Sequence, residues 1–400
     1  MVSAPTSDRE RGMVEYSNAR WPVFADDERE AVERVLASGK VNYWTGTEGR
    51  EFEREFAEFT GVGHAIFVAN GTVALELGLR ALDLPPGSEV VTTPRTFIAS
   101  SSAIVAAGLR PVFVDVDPDS GNITPDSVRE VITPATSAVL VVHLGGWPAD
   151  MPGFQALCAE RGIALVEDCS QAHGAMLNGR HVGTFSDVAA WSFCQDKIIS
   201  TGGEGGMVAA SDEGIWKRMW AYKDHGKSWD AVYKRDQPPG FRWLHESFGS
   251  NYRGTEMQAA IGRLQYRKLP GWRSQRTGNA LVLAARLQEI AGLRVPLPMP
   301  GGDHAFYRLY AYVDPAANPG GLIRDQVIAE VTNRFHVPIF SGSCSEIYLE
   351  DAFASNDLRP ADRLPNAARM TDDALAFLVH PGLSVDDMHL VADAVEQVLS

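Results

Sequence analysis

Ala65-Ile-Phe-Val-Ala-Asn-Gly-Thr72 is the stretch on which the fold turns. Its apolar run reads as a buried strand, and a single glycine carries it straight into a helix over 72–82. The unit then recurs. Glu89-Val-Val-Thr92 is a second strand, followed by a helix from Phe97 to Ala107. Pro111-Val-Phe-Val-Asp-Val116 is a third, Ala138-Val-Leu-Val-Val-His143 a fourth with a helix over 150–161, and Ile163-Ala-Leu-Val-Glu-Asp168 a fifth. Asp187 to Phe193 and Gly206 to Ala210 follow without long helices between them. Continuous apolar strands alternating with helices predict an α/β fold with a mostly parallel sheet covered on both faces.

Outward from this core, residues 1–21 are polar and read as an N-terminal arm. Residues 24–60 are helical in pattern, opened by Asp26 and Asp27 and closed with glycine at Leu36-Ala-Ser-Gly-Lys40. Residues 222–250, rich in His, Lys, Trp, Pro and Gly, read as a long functional or interfacial loop. A helical run from Thr255 to Ile290 is expected to break near Pro270-Gly271. Residues 305–400 look like an α+β cap, with Phe306 to Val313 a strand, Arg324 to Phe335 a helix and a last helix from Asp386 to Leu399. The expected division is a large domain over 22–275 and a small C-terminal domain over 276–400.

The 400 residues are 45% hydrophobic and 22% charged, which is ordinary globular material. A net charge of −15 disfavours nucleic acid and anionic membranes as partners. No apolar run approaches the ~20 residues of a membrane span. The N-terminus has no apolar signal core, and Cys158, Cys169, Cys194 and Cys344 show no metal-ligand spacing, so a cytoplasmic protein with reduced thiols and no metal is expected.

Four features carry chemistry. At Asn70-Gly71-Thr72 the free amides of a helix N-terminus, with the Thr72 hydroxyl, suit a phosphate; a plain helix cap is the bland alternative. Asp168 ends an apolar strand, where a carboxylate needs a partner such as a protonated ring nitrogen. Gln171 and His173 follow on the next turn. Lys197 lies one strand further on, in Trp191-Ser-Phe-Cys-Gln-Asp-Lys-Ile-Ile-Ser-Thr-Gly-Gly-Glu-Gly-Gly206. To attack an aldehyde its amine must be neutral, so burial or a nearby cation is expected to lower its pKa from about 10.4. Phe97 offers a plate for a planar ring, and Ser192 a hydroxyl for a phosphate. Gly202 to Gly206 precedes a strand rather than opening a helix, so it reads as a tight turn and not as a dinucleotide fingerprint. Singly each feature is ambiguous. Together, in order on one sheet, they supply what pyridoxal phosphate requires.

At this point the chain resembles the DegT/StrS-type sugar aminotransferases, within the fold-type I superfamily. The resemblance runs from about Pro22 to the C-terminus. It rests on Asn70-Gly-Thr-Val-Ala-Leu75, Pro111-Val-Phe-Val-Asp115, Glu167-Asp-Cys-Ser-Gln-Ala-His-Gly174, Ser192 to Gly206, Asn251-Tyr-Arg-Gly-Thr-Glu256 and Leu378-Val-His-Pro-Gly382. It implies a seven-stranded large-domain sheet, with pyridoxal 5'-phosphate held covalently by Lys197. By resemblance Asp168 pairs the pyridine nitrogen, Gln171 bonds the ring hydroxyl, Phe97 stacks on the ring, and Gly71, Thr72 and Ser192 hold the phosphate. Asn251 would reach the cofactor of a second copy, implying a homodimer with shared sites, and Arg253 would lie nearby. The Cys194-Gln-Asp-Lys197 loop departs from the commoner Lys-Asn type. Arg95 stands where many relatives carry a small or aromatic residue, so it is a candidate for a donor carboxylate or substrate phosphate. Lys223 and His225 are further candidates for an acidic substrate group.

The expected activity is transfer of an amino group from glutamate or glutamine to a keto group of a sugar, nucleotide-linked for preference, in glycan or natural-product assembly. A cyclitol or aminoshikimate-type acceptor, another reaction on the same cofactor (dehydratase, decarboxylase, oxidase or C–C bond chemistry) and a non-catalytic binding protein are the competing readings. Lys197 speaks against the sugar-dehydratase branch, where a histidine replaces the lysine.

Overall fold

The protein is described by a computed structural model covering residues 16–17, 19–236, 240–298 and 301–400. Most of the expected N-terminal arm and residues 237–239 of the 222–250 segment therefore lie outside the described residues. In chain order the strands are β1 His64–Val68, β2 Glu89–Thr92, β3 Arg110–Phe113, β4 Thr136–Val142, β5 Ala164–Asp168, β6 Met176–Leu177 and β7 Arg180–His181. Then come β8 Val188–Ser192, β9 Gly206–Ala210, β10 Leu293–Arg294, β11 Gly302–Asp303, β12 Leu309–Val313, β13 Ile339–Phe340 and β14 Ala374–Phe377. The first helices are α1 Asp26–Ser38, α2 Glu48–Thr60, α3 Gly71–Ala81, α4 Ala99–Ala106, α5 Pro125–Val131 and α6 Met151–Arg161. They are followed by α7 Glu213–Lys223, α8 Trp229–Tyr233, α9 Glu256–Leu287, α10 Arg324–Phe335, α11 Asp351–Ala354, α12 Pro365–Asp373 and α13 Val385–Leu399.

The main sheet has seven strands in the order β1-β9-β8-β5-β4-β2-β3. All neighbours pair in parallel except β9, which runs antiparallel to both β1 and β8. The carboxyl ends of β1, β2, β4, β5 and β8 thus share one edge, where an open α/β sheet places its ligands. Both faces are covered, as the unbroken apolar strands required. On one face Ile66, Val68, Leu140 and Val166 pack with Leu75, Leu79 and Trp220. On part of the other, Phe67, Trp191 and Phe193 pack with Phe52, Phe56 and Tyr266 of α2 and α9. Each such fully buried large side chain contributes about 1.5–3 kcal/mol.

Local chemistry explains where the elements begin and end. Gly39 takes a left-handed φ of 65° and closes α1, so residues 24–60 form two helices. The alternation is otherwise as expected, but α5 was not anticipated; its signature is the Thr124/Ser127 capping box with Pro125 in the first turn. The 222–250 segment is less irregular than its composition suggests, since α7 runs to Lys223 and α8 lies within it. The break expected at Pro270 is absent: α9 continues through it for 32 residues. A proline removes one helical donor, but tertiary packing holds both halves of α9. Its first part packs on α1 and α2, while Leu283 and Leu287 join Val391 and Val395 of α13 in the core of the C-terminal layer. The boundary expected at 275/276 falls inside this helix.

Candidate active site

The shared strand edge opens into a cavity of about 690 Å³. Its walls come from the turn after each of β1, β2, β5 and β8: Gly71 and Thr72, Thr96 and Phe97, Asp168 and Gln171, Ser192 and Lys197. At the β1 corner Asn70 caps α3, its Oδ1 accepting from the Val73 amide at 3.0 Å. The backbone crowds there. A Cβ on Gly71 would sit 2.6 Å from Ser192 Cβ, and one on Gly206 only 2.4 Å from the Asn70 carbonyl oxygen. The glycine-rich turn before β9 is therefore the device that lets a strand pass behind the start of α3. The amides of Gly71 and Thr72, the first two of that helix, meet the Ser192 hydroxyl at one end of the cavity, a donor set suited to an anion.

Asp168 is 4% exposed, and its carboxylate accepts from Ser100 Oγ at 2.8 Å and from the Ser170 amide at 3.0 Å. Both donors are neutral, and no described cation pairs with it, so the charge faces the cavity uncompensated. Phe97 lines the same wall and is 70% exposed, an apolar plate turned toward the cavity. An acceptor for a cationic ring nitrogen, an exposed aromatic plate, an anion cradle and a lysine thus converge, and these residues fit pyridoxal phosphate.

Lys197 Nζ lies 3.3 Å from Asp196 Oδ1, and the side chain is 16% exposed. Asp196 Oδ2 in turn accepts from the Tyr307 hydroxyl. Burial pulls the Lys197 pKa down, but Tyr307 and Asp196 outweigh it and the net shift is upward. The lowered value expected from the sequence is therefore not found, because that expectation overlooked the adjacent carboxylate. Burial opposes the Asp196 charge, yet Lys197 and the Tyr307 hydroxyl hold its carboxyl below the usual range. Behind the loop, the Trp21 indole donates to the Lys197 carbonyl at 2.8 Å and packs edge-on to Trp272, ring centroids 5.0 Å apart.

A second cavity of about 410 Å³ adjoins the first. Thr96, Phe97, Gln171, Asp196 and Lys197 line both, and Tyr307, Arg308, Tyr310, Ser343 and Glu350 are among the residues that line the second alone. Gln171 is pinned at this junction, its Oε1 accepting from the Gly145 amide at 2.7 Å.

Six candidates are not brought to these walls. Arg95 is fully buried beside them; its guanidinium donates to the Tyr312 hydroxyl at 2.9 Å and lies 4.8 Å from the Tyr310 ring centroid, so it props the C-terminal layer. His173 is buried with Nε2 2.8 Å from the Ser192 carbonyl oxygen, and burial above all pulls its pKa down to about 4. It is a neutral brace for β8. Lys223 is fully buried, 3.8 Å from the Tyr43 ring centroid, and burial lowers its pKa to about 8. Arg253 Nη1 donates to Asp224 Oδ1 at 2.6 Å. His225 and Asn251 are exposed, joined by backbone pairing of Asp224 with Asn251 and a bond from the His225 amide to the Ser250 carbonyl. Conversely, Ser100, Tyr307, Arg308 and Ser343 were missed. Ser100 had a signal, one helical turn past Thr96; the other three arrive from more than 100 residues away. His143, Glu167 and Cys169 cluster as metal ligands would. However, both His143 nitrogens are engaged, by Glu167 and by the Ala149 amide, and Glu167 also accepts from Gly183, Phe185 and Ser186. The cluster is an internal hydrogen-bond network.

The DegT/DnrJ/EryC1/StrS aminotransferase family model matches residues 22–396. The chain belongs to this family. It is an aminotransferase of sugar biosynthesis, and its cofactor is pyridoxal 5'-phosphate. Among relatives in the family, a dTDP-4-dehydro-2,3,6-trideoxy-D-glucose 4-aminotransferase from Saccharopolyspora spinosa is 33% identical over 96% of each chain. An L-glutamine:2-deoxy-scyllo-inosose aminotransferase from Streptoalloteichus tenebrarius is 35% identical, over 95% of this chain and 94% of that one. The solved aminotransferase from Psychrobacter cryohalolentis superposes with a TM-score of 0.93 at 50% identity, over 95% of this chain and 98% of that one. Among the described residues no helix is long and apolar enough to cross a membrane.

Proposed function

We propose that this aminotransferase moves an amino group from glutamate or glutamine to a keto group on a nucleotide-linked sugar. The observation that carries the reading is the pair of adjoining cavities that meet at Lys197. The first has the anion cradle, carboxylate and aromatic plate for the cofactor. The second offers aromatic faces at Tyr307 and Tyr310 and hydrogen-bonding groups at Arg308 and Ser343, a lining suited to a hydroxyl-rich ring. When bound, the cofactor supplies an electron sink and a carrier for the amino group.

The chain's own residues supply the rest. Lys197 would hold the cofactor aldehyde, and its amine would move a proton to and from the substrate carbon. Asp168 keeps the ring nitrogen protonated by placing an uncompensated charge beside it. The first amides of α3, with Thr72 and Ser192, orient the phosphate, Phe97 covers one ring face and Gln171 positions the ring hydroxyl. Asn251 is exposed and lines neither cavity of its own chain. That supports a homodimer in which it completes the site of a second copy, with His225 and Arg253 close by.

The relative acting on 2-deoxy-scyllo-inosose supports a second acceptor class, an unlinked keto-cyclitol. The test is transamination of the purified enzyme with L-glutamate or L-glutamine against a panel of dTDP- and UDP-ketosugars and free keto-cyclitols. Turnover confined to nucleotide-linked ketones is expected. Turnover confined to cyclitols moves the assignment to the second class, and no amino transfer from any donor to any ketone sinks both.

A further inference from the structure

Asp196 stands immediately before Lys197, and adjacent residues of an extended strand would point to opposite sides. Here the loop turns so that both side chains face the junction of the two cavities. The carboxylate is used at both oxygens. Oδ1 is 3.3 Å from Lys197 Nζ, and Oδ2 accepts from Tyr307, a residue buried to 6% exposure just ahead of β12. Lys197 Nζ also lies 5.1 Å from the Tyr307 ring centroid. A lysine released from the cofactor is therefore not left to swing in solvent.

We propose that Asp196 is the positioning residue for Lys197: anchored by the Tyr307 hydroxyl, its carboxylate holds the released ammonium at the junction of the two cavities and sets the pH at which that amine becomes available. The proposal deepens the reading above and rests on Lys197 being the lysine that captures the cofactor. Other charged or titratable groups face the same amine. Cys194 lies on its own loop and bonds weakly toward Glu204, His173 approaches from the turn after β5, and Arg308 acts on Asp196 from beside Tyr307. Asp168 and Glu204 line the first cavity with it, and Glu350 the second. Of these only Asp196 is an anion within ion-pair distance of Nζ, which is why its removal is decisive. The upward shift of Lys197 agrees in direction.

The test uses the full-length chain freed of cofactor and measures the rate of covalent pyridoxal phosphate capture against pH by visible absorbance. In Asp196→Asn the midpoint of that profile should fall by about one unit, so that capture one unit below the wild-type midpoint is about fivefold faster. Asp196→Glu should return it toward wild type, and Tyr307→Phe should shift it in the same direction as Asp196→Asn by a smaller amount. An unmoved midpoint in Asp196→Asn, or an equal shift in Asp196→Glu, overturns the proposal. If Asp196→Asn does not accumulate folded, an unmoved midpoint in Tyr307→Phe overturns it instead. Lys197→Ala, run alongside, separates the two readings. Loss of capture in that variant with an unmoved Asp196→Asn midpoint sinks the role of Asp196 alone, whereas capture retained without Lys197 sinks both.

Discussion

Asp168 shows what a single residue does when its hydrogen bonds are complete but its charge is not. Ser100 and the Ser170 amide orient the carboxylate and neither neutralises it. Asp168→Asn keeps the shape and removes the charge, so the half-reaction with the amino donor should slow about a hundredfold or more in stopped-flow absorbance, with cofactor still bound. A rate within a few-fold of wild type would remove Asp168 from its assigned place. At this scale the sequence was informative where a polar residue interrupted an apolar pattern: Asp168 at a strand end, Gly71 at a strand-to-helix passage, Lys197 beyond the next strand. It was uninformative for Tyr307, which reaches Asp196 from 111 residues away. It misled for Arg95 and Lys223, because a charged residue written in a loop does not announce that the fold will bury it.

Among the elements, the start of α3 is the least tolerant of change. Any side chain at position 71 meets Ser192 at 2.6 Å, and relief requires moving either the strand that carries Ser192 or the helix whose amides line the cavity. Gly71→Ala should cost about 1–3 kcal/mol of stability in urea unfolding. It should also weaken pyridoxal phosphate binding about tenfold, which corresponds to about 1.4 kcal/mol. Unchanged binding would show that the cradle is not where the phosphate sits. Helices and strands themselves were readable from periodicity because both sheet faces are buried. The exceptions have local causes: α5 is short and rests on its cap, and α9 crosses Pro270 because packing on α1, α2 and α13 outweighs one missing hydrogen bond.

For the molecule as a whole, buried histidines set the response to acid. Burial lowers His173 and His380 to about 4 and His304 to about 3, against an ordinary 6.5. The unfolded chain therefore takes up these protons first. Above about pH 6.5 the rings are neutral in both states and cost nothing; stability is lost as pH falls from 6.5 toward 4. His173→Gln should flatten the dependence of the urea midpoint on pH in that window, by at most about 1.4 kcal/mol per pH unit for the one proton removed. An unaltered slope would mean that His173 titrates normally. At the same scale, a single continuous helix, α9, runs across residue 275 and joins the two layers.

The indole of Trp21 ties the segment ahead of α1 to the backbone carbonyl of Lys197. That contact makes one tryptophan a reporter of events at the opposite face of the lysine loop. Cofactor loading should alter the emission of the wild-type protein by more than that of Trp21→Phe, and the difference spectrum should track occupancy at Lys197 before any substrate is added. If the two proteins respond identically, the indole does not sense the loop. If they differ, each turnover carries its own optical signal, read from a residue that never touches the chemistry.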